Sequence, residues 1–180
     1  MRSTTTSLLL VIALCFNLSA QVPGEWVWMK GSNGLNDPGV LGAQGVEVFT
    51  NEPHSAYMPV SWQDTTGNLW IYGGHRQNTA YGDLYRYNIS TNNWTWMKGT
   101  GQPAQAPIYG TQGVPSGIVT PGVVRFGAAS WSDDNNNFWL LGGYSIAPQP
   151  LKGDLWKYDV GTNEWTWMKG TQQGDYPGNF

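Results

Sequence analysis

The sequence WTWMKG at residues 94–99 recurs as WTWMKG at residues 165–170 and, with one change, as WVWMKG at residues 26–31. The copies lie about 70 residues apart, and a fixed period of this kind is typical of proteins built from tandem structural units. Trp94 and Trp96 alternate with smaller residues, which predicts a short β-strand with both indoles on one face. The repeat therefore determines how every other motif in the chain is interpreted.

Further motifs recur in the same order between these copies, and even the connecting segments match. The matching pairs are SWQD at 61–64 with SWSD at 130–133, LWIYGG at 69–74 with FWLLGG at 138–143, GDLYRYN at 82–88 with GDLWKYD at 153–159, and GAQGV at 42–46 with GTQGV at 110–114. Polar, glycine-containing turns separate the apolar runs. Each unit is therefore predicted to form four short strands, named a to d in chain order.

The composition also favours β-structure. The chain contains 24 Gly, 11 Pro, 11 Trp and 9 Tyr, and only 12% of its residues are charged. Glycine and proline weaken helices, whereas aromatic residues favour strands. The net charge of −3 comes without any cluster of basic residues, so a nucleic-acid partner is not expected. We predict an all-β protein.

The combined motifs resemble the kelch repeat, in which a glycine pair closes one strand, a tyrosine lies on the next and a tryptophan on the one after. The residues that carry this resemblance are Gly73, Gly74, Tyr87 and Trp94 in the first unit, and Gly142, Gly143, Tyr158 and Trp165 in the second. The resemblance covers residues 25–180. It implies four-stranded blades of a β-propeller, which has about four to eight blades around a central axis.

The kelch resemblance divides the chain into blades and loops. It implies a first blade at residues 56–99 and a second at 125–170, where Arg125 precedes strand a. An extra d strand is expected at 25–31. The period of about 70 residues exceeds the ~50 typical of kelch repeats, and the surplus lies in long loops at 32–55 and 100–124.

The strand count predicts an incomplete ring. Strands a, b and c occur twice, whereas strand d occurs three times. We therefore expect an N-terminal portion of a longer protein, with further blades supplied by C-terminal sequence. The alternative is a ring assembled from several identical chains, in which each chain would carry one unneeded d strand.

The first 20 residues are predicted to be a cleaved signal peptide. An uninterrupted apolar run at residues 8–16 follows a basic residue, and it is shorter than the ~20 residues that span a bilayer. The alternative is a lipoprotein anchor at Cys15, the only cysteine. The mature protein, residues 21–180, is predicted to be secreted, extracellular or at the cell surface, with the periplasm as an alternative. We expect no transmembrane segment and no disulfide in it.

Residues with a catalytic or metal-binding pattern are not found in the mature sequence. The galactose oxidase class, which shares the kelch propeller fold, has a copper site that depends on a tyrosine cross-linked to a cysteine. Cleavage would remove Cys15, so this segment is expected to hold no cofactor. Asp83 and Asp154 precede strand c in both units, and we expect them to accept backbone N–H bonds in the turn.

Candidate binding residues are the non-repeated side chains on loops, because loops on a rigid scaffold commonly carry binding. They are His75, Arg76, Tyr81 and Tyr144 on the b–c loops, and Tyr109 on a long loop. The repeated tryptophans are expected to pack the blades. The leading hypothesis is a protein- or glycan-binding scaffold. A carbohydrate-active enzyme with catalytic residues beyond residue 180 is the alternative, and a purely structural extracellular role fits the same sequence.

Overall fold

The computed structural model describes residues 24–123, 126–144 and 151–174. The predicted signal peptide at 1–20 and Arg125 lie outside these residues. Within them the protein is all-β, without a helix, as predicted, and it forms three antiparallel sheets. Accordingly, none of the described segments is a helix that could cross a bilayer.

Two of the sheets have four strands each, and the third is a short hairpin. The strands are β1 (Val60–Gln63), β2 (Leu69–Tyr72), β3 (His75–Arg76), β4 (Thr79–Ala80), β5 (Leu84–Asn88), β6 (Asn93–Lys98), β7 (Ala129–Ser132), β8 (Asn137–Tyr144), β9 (Leu151–Asp159) and β10 (Glu164–Lys169). The first sheet has the order β1-β2-β5-β6 and the second β7-β8-β9-β10. Strands β3 and β4 form the hairpin.

The two four-stranded sheets share one register. Trp62 pairs with Trp70 in the first sheet as Trp131 pairs with Trp139 in the second. The repeated Tyr–Trp pairs also occupy equivalent places, with ring centroids 5.0 Å apart for Tyr87 and Trp94 and 5.1 Å apart for Tyr158 and Trp165. The sequence repeat is therefore a repeat of structure.

The glycine pairs occupy equivalent places at the end of the second strand of each sheet. Gly73 and Gly74 have φ of 70° and 106°, and Gly142 and Gly143 have φ of 65° and 97°, conformations that side chains with a Cβ rarely adopt. Beyond the pair the copies differ, because the first sheet continues into the β3–β4 hairpin whereas β8 runs on to Tyr144. The glycine pair therefore has the same backbone conformation in both repeats, although different elements follow it.

Each sheet has two faces, which we call front and back. The front face of the first sheet carries Val60, Trp62, Trp70, Tyr72 and Leu84, and that of the second carries Ala129, Trp131, Trp139, Leu141 and Leu155. The back face of the first sheet carries Leu69, Ile71, Tyr87 and Trp94, and that of the second carries Phe138, Leu140, Tyr158 and Trp165.

The core lies where the front face of the first sheet packs on the back face of the second. Trp62 stacks on Phe138 with ring centroids 5.2 Å apart and planes 6° from parallel. Trp70 meets the same phenyl ring edge-on at 5.2 Å, and Tyr72 lies 5.3 Å from Trp165. Offset and edge-to-face aromatic pairs of this kind add to the gain from burying apolar surface.

The expected d strand at residues 25–31 is not a strand in the structure. Trp26 is 100% exposed, whereas Met29 and Lys30 are hydrogen-bonded to Asn92 and Asn93 of the first unit. A strand needs a neighbour to satisfy its backbone N–H and C=O groups. The segment repeats the sequence of β6 and β10, but in the described part of the chain no strand pairs with it.

The long loops, described over residues 32–55 and 100–123, contain isolated bridges but no strand, and each covers the outer edge of a sheet. Gly45 N donates to Trp96 O at 2.8 Å, and Gly113 N donates to Trp167 O at 2.8 Å. Gln44 and Gln112, next to these glycines, donate from their amides to Gly99 O and Met168 O. The repeated Gln-Gly segments thus bind the free carbonyls of outer strands that would otherwise be open to another chain.

The turns between the first two strands of each sheet are organised by a carboxylate. Asp64 Oδ1 accepts hydrogen bonds from the backbone N–H groups of Thr66 and Asn68, and its Oδ2 accepts one from Trp70 Nε1 at 2.8 Å. Asp133 repeats the pattern, accepting from Trp139 Nε1 at 2.8 Å. Each carboxylate joins its turn to an indole near the start of the second strand; this indole is buried in the first sheet (Trp70) and half-buried in the second (Trp139).

Because of these carboxylates, the free energy of unfolding should decrease when the pH becomes acidic. Burial by itself would raise the pKa of Asp133, but hydrogen bonds from Trp139, Asn137 and Asn135 bring it down to about 2. The pKa of Asp64 is lowered in the same way, against burial, by Thr66, Trp70 and Asn68. In the unfolded chain the carboxyl has a pKa of 3.8 and binds a proton more readily than in the folded protein. The stabilisation by this carboxylate should therefore be complete above that pH and be lost as the pH drops toward 2.

The measurement is the urea midpoint of unfolding between about pH 6 and pH 2. Asp133→Asn should lower the midpoint at the upper end and flatten its decline toward acid. Asp134→Asn, at the exposed neighbouring position, is the matched control and should follow the wild-type curve. Parallel curves for Asp133→Asn and the wild type would contradict the role assigned to Asp133.

Candidate aromatic binding surface

The five residues predicted for binding do not come together on one surface. His75 and Arg76 form β3, and Tyr144 ends β8, all at the same rim of the molecule. Tyr81 and Tyr109 are buried, because long-range packing that the sequence pattern does not reveal covers both rings. Neither ring is therefore open to solvent, and a binding role for these two tyrosines stays a prediction.

Four aromatic rings form a continuous surface at the rim, which we call the aromatic rim: Tyr57, His75, Phe126 and Tyr144. Phe126 lies at the centre, 4.3 Å from His75, 5.9 Å from Tyr57 and 6.1 Å from Tyr144 between ring centroids. Tyr57 and Tyr144 are largely exposed, and the other two are half-buried. The rim spans both repeats and offers ring faces and phenol hydroxyls to solvent.

Backbone pairing holds these rings in place. Tyr57 and His75 exchange two hydrogen bonds of 2.9 and 3.0 Å, and Phe126 and Tyr144 exchange two of 2.9 and 2.8 Å. The two pairs occupy equivalent positions in the two repeats. Tyr57 and Phe126 are not among the predicted binding residues, because only non-repeated side chains were considered. The signal that identifies them is an aromatic residue ahead of strand a in both units.

Arg76 flanks the rim and is held by Tyr81. Its Nη2 donates to Tyr81 Oη at 2.8 Å, and its guanidinium carbon lies 5.5 Å from the centre of that ring. Tyr81 in turn stacks on His54 at 4.2 Å. Burial lowers the pKa of both His54 and His75, so both imidazoles are neutral at pH 7. The guanidinium is therefore the fixed positive charge beside the rings.

Asp83 and Asp154 lie beneath this rim, where they hold loops together. Asp154 accepts a hydrogen bond from Tyr109 Oη at 2.7 Å, so Tyr109 has a structural contact in the interior. Asp83 Oδ1 accepts one from the backbone N–H of Gly101 at 2.8 Å; Gly101 lies in the following long loop and not in the turn ahead of β5, where the sequence predicts such bonds. Its Oδ2 is buried without a hydrogen-bond partner, since Leu41 takes the place in the first repeat that Tyr109 takes in the second.

The environment of Asp83 distinguishes the two repeats chemically. Burial raises its pKa, and the hydrogen bonds from Gly101 and Trp96 only partly offset this. Tyr85 Oη and His54 Nε2 nearby are also buried without partners, and the His54 and Tyr85 rings lie 6.0 Å apart. These groups face the interior, so they support the rim from below and do not take part in its surface.

Metal binding finds no support in the described ranges, where no three His, Cys, Asp or Glu side chains are grouped to hold an ion. The open, ring-lined rim is suited to contact by stacking and hydrogen bonding. No protein-family model matches the chain, and no curated protein matches it.

Proposed function

We propose that the chain is an exported, kelch-type β-propeller segment that acts as a binding scaffold and recognises a glycan through the aromatic rim. The proposal that its sheets are blades is supported by their common register, by their front-to-back packing and by the glycine pairs at equivalent strand ends. Export is proposed from the apolar N-terminal sequence alone.

The observation that carries the binding proposal is the continuous, solvent-facing set of rings from Tyr57 through Phe126 to Tyr144. Exposed apolar surface of this kind usually marks an interaction site. Ring faces suit the C–H faces of sugars, while the phenol hydroxyls can both donate to and accept from sugar hydroxyls. The backbone pairs fix the rings before binding, which reduces the entropy cost of association.

A glycan is favoured over an anionic polymer because, among the residues that the structure describes, Arg76 is the cation held beside the rim. Burial lowers the pKa of His54 and His75, so both imidazoles are neutral at pH 7. One guanidinium with spare donors suits a hydroxyl or a single carboxylate on a sugar. A protein partner remains the other outcome of the test below.

Removal of either exposed ring should weaken binding without unfolding the protein. We expect Tyr57→Ala and Tyr144→Ala each to weaken binding by about 10-fold, since each removes a stacking surface worth about 1–2 kcal/mol. The full chain is screened against a glycan array, and the affinity of each variant for the best glycan is then measured by calorimetry.

Phe49→Ala is the matched control, because Phe49 is an aromatic residue that is 77% exposed on a long loop and has no part in either backbone pair of the rim. It should bind as the wild type does, and all three variants should keep the wild-type melting temperature. Wild-type affinity in both tyrosine variants would refute the assignment of the rim. Binding of a protein and of no glycan would refute the ligand class and leave the scaffold role in place.

A further inference from the structure

The interface between the two sheets is made of surfaces that each occur twice, and the second copy of each is exposed. On the back faces, Phe138 is 0% exposed whereas its equivalent Leu69 is 42% exposed. On the front faces, Trp62 and Tyr72 are 7% and 1% exposed whereas Trp131 and Leu141 are 43% and 42% exposed. The chain therefore presents one open back face and one open front face.

The open back face of the first sheet is a groove. It has a volume of about 670 Å³ and is lined mainly by Leu69, Ile71, Tyr87 and Trp94, with Met29 and Lys30 at its outer margin. At the internal interface the equivalent surface of the second sheet receives Trp62 and Trp70. The groove is thus the receiving half of an interface whose completed form is present in the same molecule.

The open front face of the second sheet is the inserting half. Trp131 lies flat on Trp139, with centroids 5.8 Å apart and planes 2° from parallel, and Leu141 lies beside the pair in register with Ala129. These side chains correspond in position to Val60, Trp62, Trp70 and Tyr72, which fill the internal interface. Contiguous exposed apolar surface of this size is uncommon on monomers.

We propose that the chain associates head to tail with a second copy of itself, the front face of the second sheet of one copy docking in the groove of the other. The contact continues the internal interface, with Trp131 on Leu69 in place of Trp62 on Phe138. Because the two surfaces differ, the contact is heterologous, and its repetition gives a closed ring or an open row. This association does not involve the aromatic rim and is independent of glycan binding.

In the part of the chain that the structure describes, residues 26–30 lie in the way of this docking. An incoming β10 would reach the margin of the groove where Met29 and Lys30 lie, held by hydrogen bonds from Asn92 Nδ2 to Met29 O at 3.0 Å and from Lys30 Nζ to Phe49 O at 2.6 Å. Since the segment belongs to no sheet, it can move aside without breaking strand pairing. Its sequence alone predicts an unneeded strand that would disfavour such assembly, but it forms none.

The decisive experiment mixes two variants that are each unable to self-associate. Leu69→Arg places a charge in the groove, and Leu141→Arg places one on the inserting face. Each should weaken self-association by more than about 100-fold, because an unpaired charge would be buried. Together they should form a 1:1 heterodimer that grows no further, since each retains the half that the other lacks. Multi-angle light scattering of the full chain after size exclusion gives the masses.

Leu35→Arg is the control, because Leu35 is highly exposed on a long loop and off both faces; it should associate as the wild type does. Lys30→Ala should tighten association by loosening residues 26–30, and weaker association would contradict the proposed geometry. A wild-type chain that stays monomeric as its concentration is raised would overturn the proposal. So would failure of the two arginine variants to combine while both remain folded by circular dichroism.

Discussion

Trp70→Ala should remove most or all of the stability of the protein. The indole is fully buried, meets Phe138 at 5.2 Å and Tyr158 at 5.8 Å, and donates to Asp64 Oδ2 at 2.8 Å. Truncation of a buried aromatic to alanine costs about 3–5 kcal/mol, and the carboxylate loses a charge-assisted hydrogen bond worth a further ~1–3 kcal/mol. Native domains have only about 5–15 kcal/mol in total, so a chain of this size should be largely unfolded.

Urea unfolding followed by tryptophan fluorescence and circular dichroism measures this loss. Trp26→Ala is the matched control: it deletes the same side chain from a fully exposed position, so its unfolding midpoint should equal that of the wild type. Trp70→Phe keeps an aromatic ring but loses the donor to Asp64, and it should fall between the two. If Trp70→Ala unfolded within about 1 kcal/mol of the wild type, Trp70 could not join the two sheets as described.

Gly99→Ala should be strongly destabilising, although it adds only one methyl group to the WTWMKG sequence at residues 94–99. Gly99 has a φ of 110°, which strains any residue with a Cβ. A Cβ at that position would also lie 2.8 Å from Asp83 Cα and still closer to Asp83 Oδ1. Strain of about 1–2 kcal/mol and overpacking of about 1–3 kcal/mol act together here, so we expect a loss of about 3 kcal/mol or more.

The three copies of the motif provide their own control. Gly31 has nearly the same φ, 109°, but a Cβ there would meet no atom within 4 Å. The reason is that, in the described part of the chain, residues 25–31 do not pair with a strand as residues 94–99 do. Gly31→Ala should therefore cost only the backbone strain, about 1–2 kcal/mol at most. Equal losses for Gly31→Ala and Gly99→Ala in thermal unfolding would show that the approach of Asp83 contributes nothing.

The strands could be predicted from the sequence because their signals are local. The alternation of large side chains around Trp94 and the polar turn after Gln63 each depend on a few neighbouring residues. Repetition then fixed the equivalence of Gly73-Gly74 and Gly142-Gly143. Each unit of four predicted strands therefore corresponds to one four-stranded sheet.

Features that depend on distant segments could not be predicted. Residues 25–31 carry the strand pattern but lack a neighbour to pair with, so they stay outside any sheet. Tyr81 and Tyr109 are covered by contacts to His54, Asp154 and Trp156, which come from other parts of the chain. The aromatic rim was recognisable only in part, because Tyr57 and Phe126 meet across two repeats.

The Gln-Gly segments have a consequence for how such a protein can gain length. Each segment lies upstream of the outer strand it binds, Gly45 ahead of Trp96 and Gly113 ahead of Trp167. Duplication of one continuous stretch of the gene would thus copy an outer strand together with the Gln-Gly segment that binds its carbonyls. The outer edge of the added sheet would be covered from the start, and selection would then act on the fit between its faces and those of the neighbouring sheets.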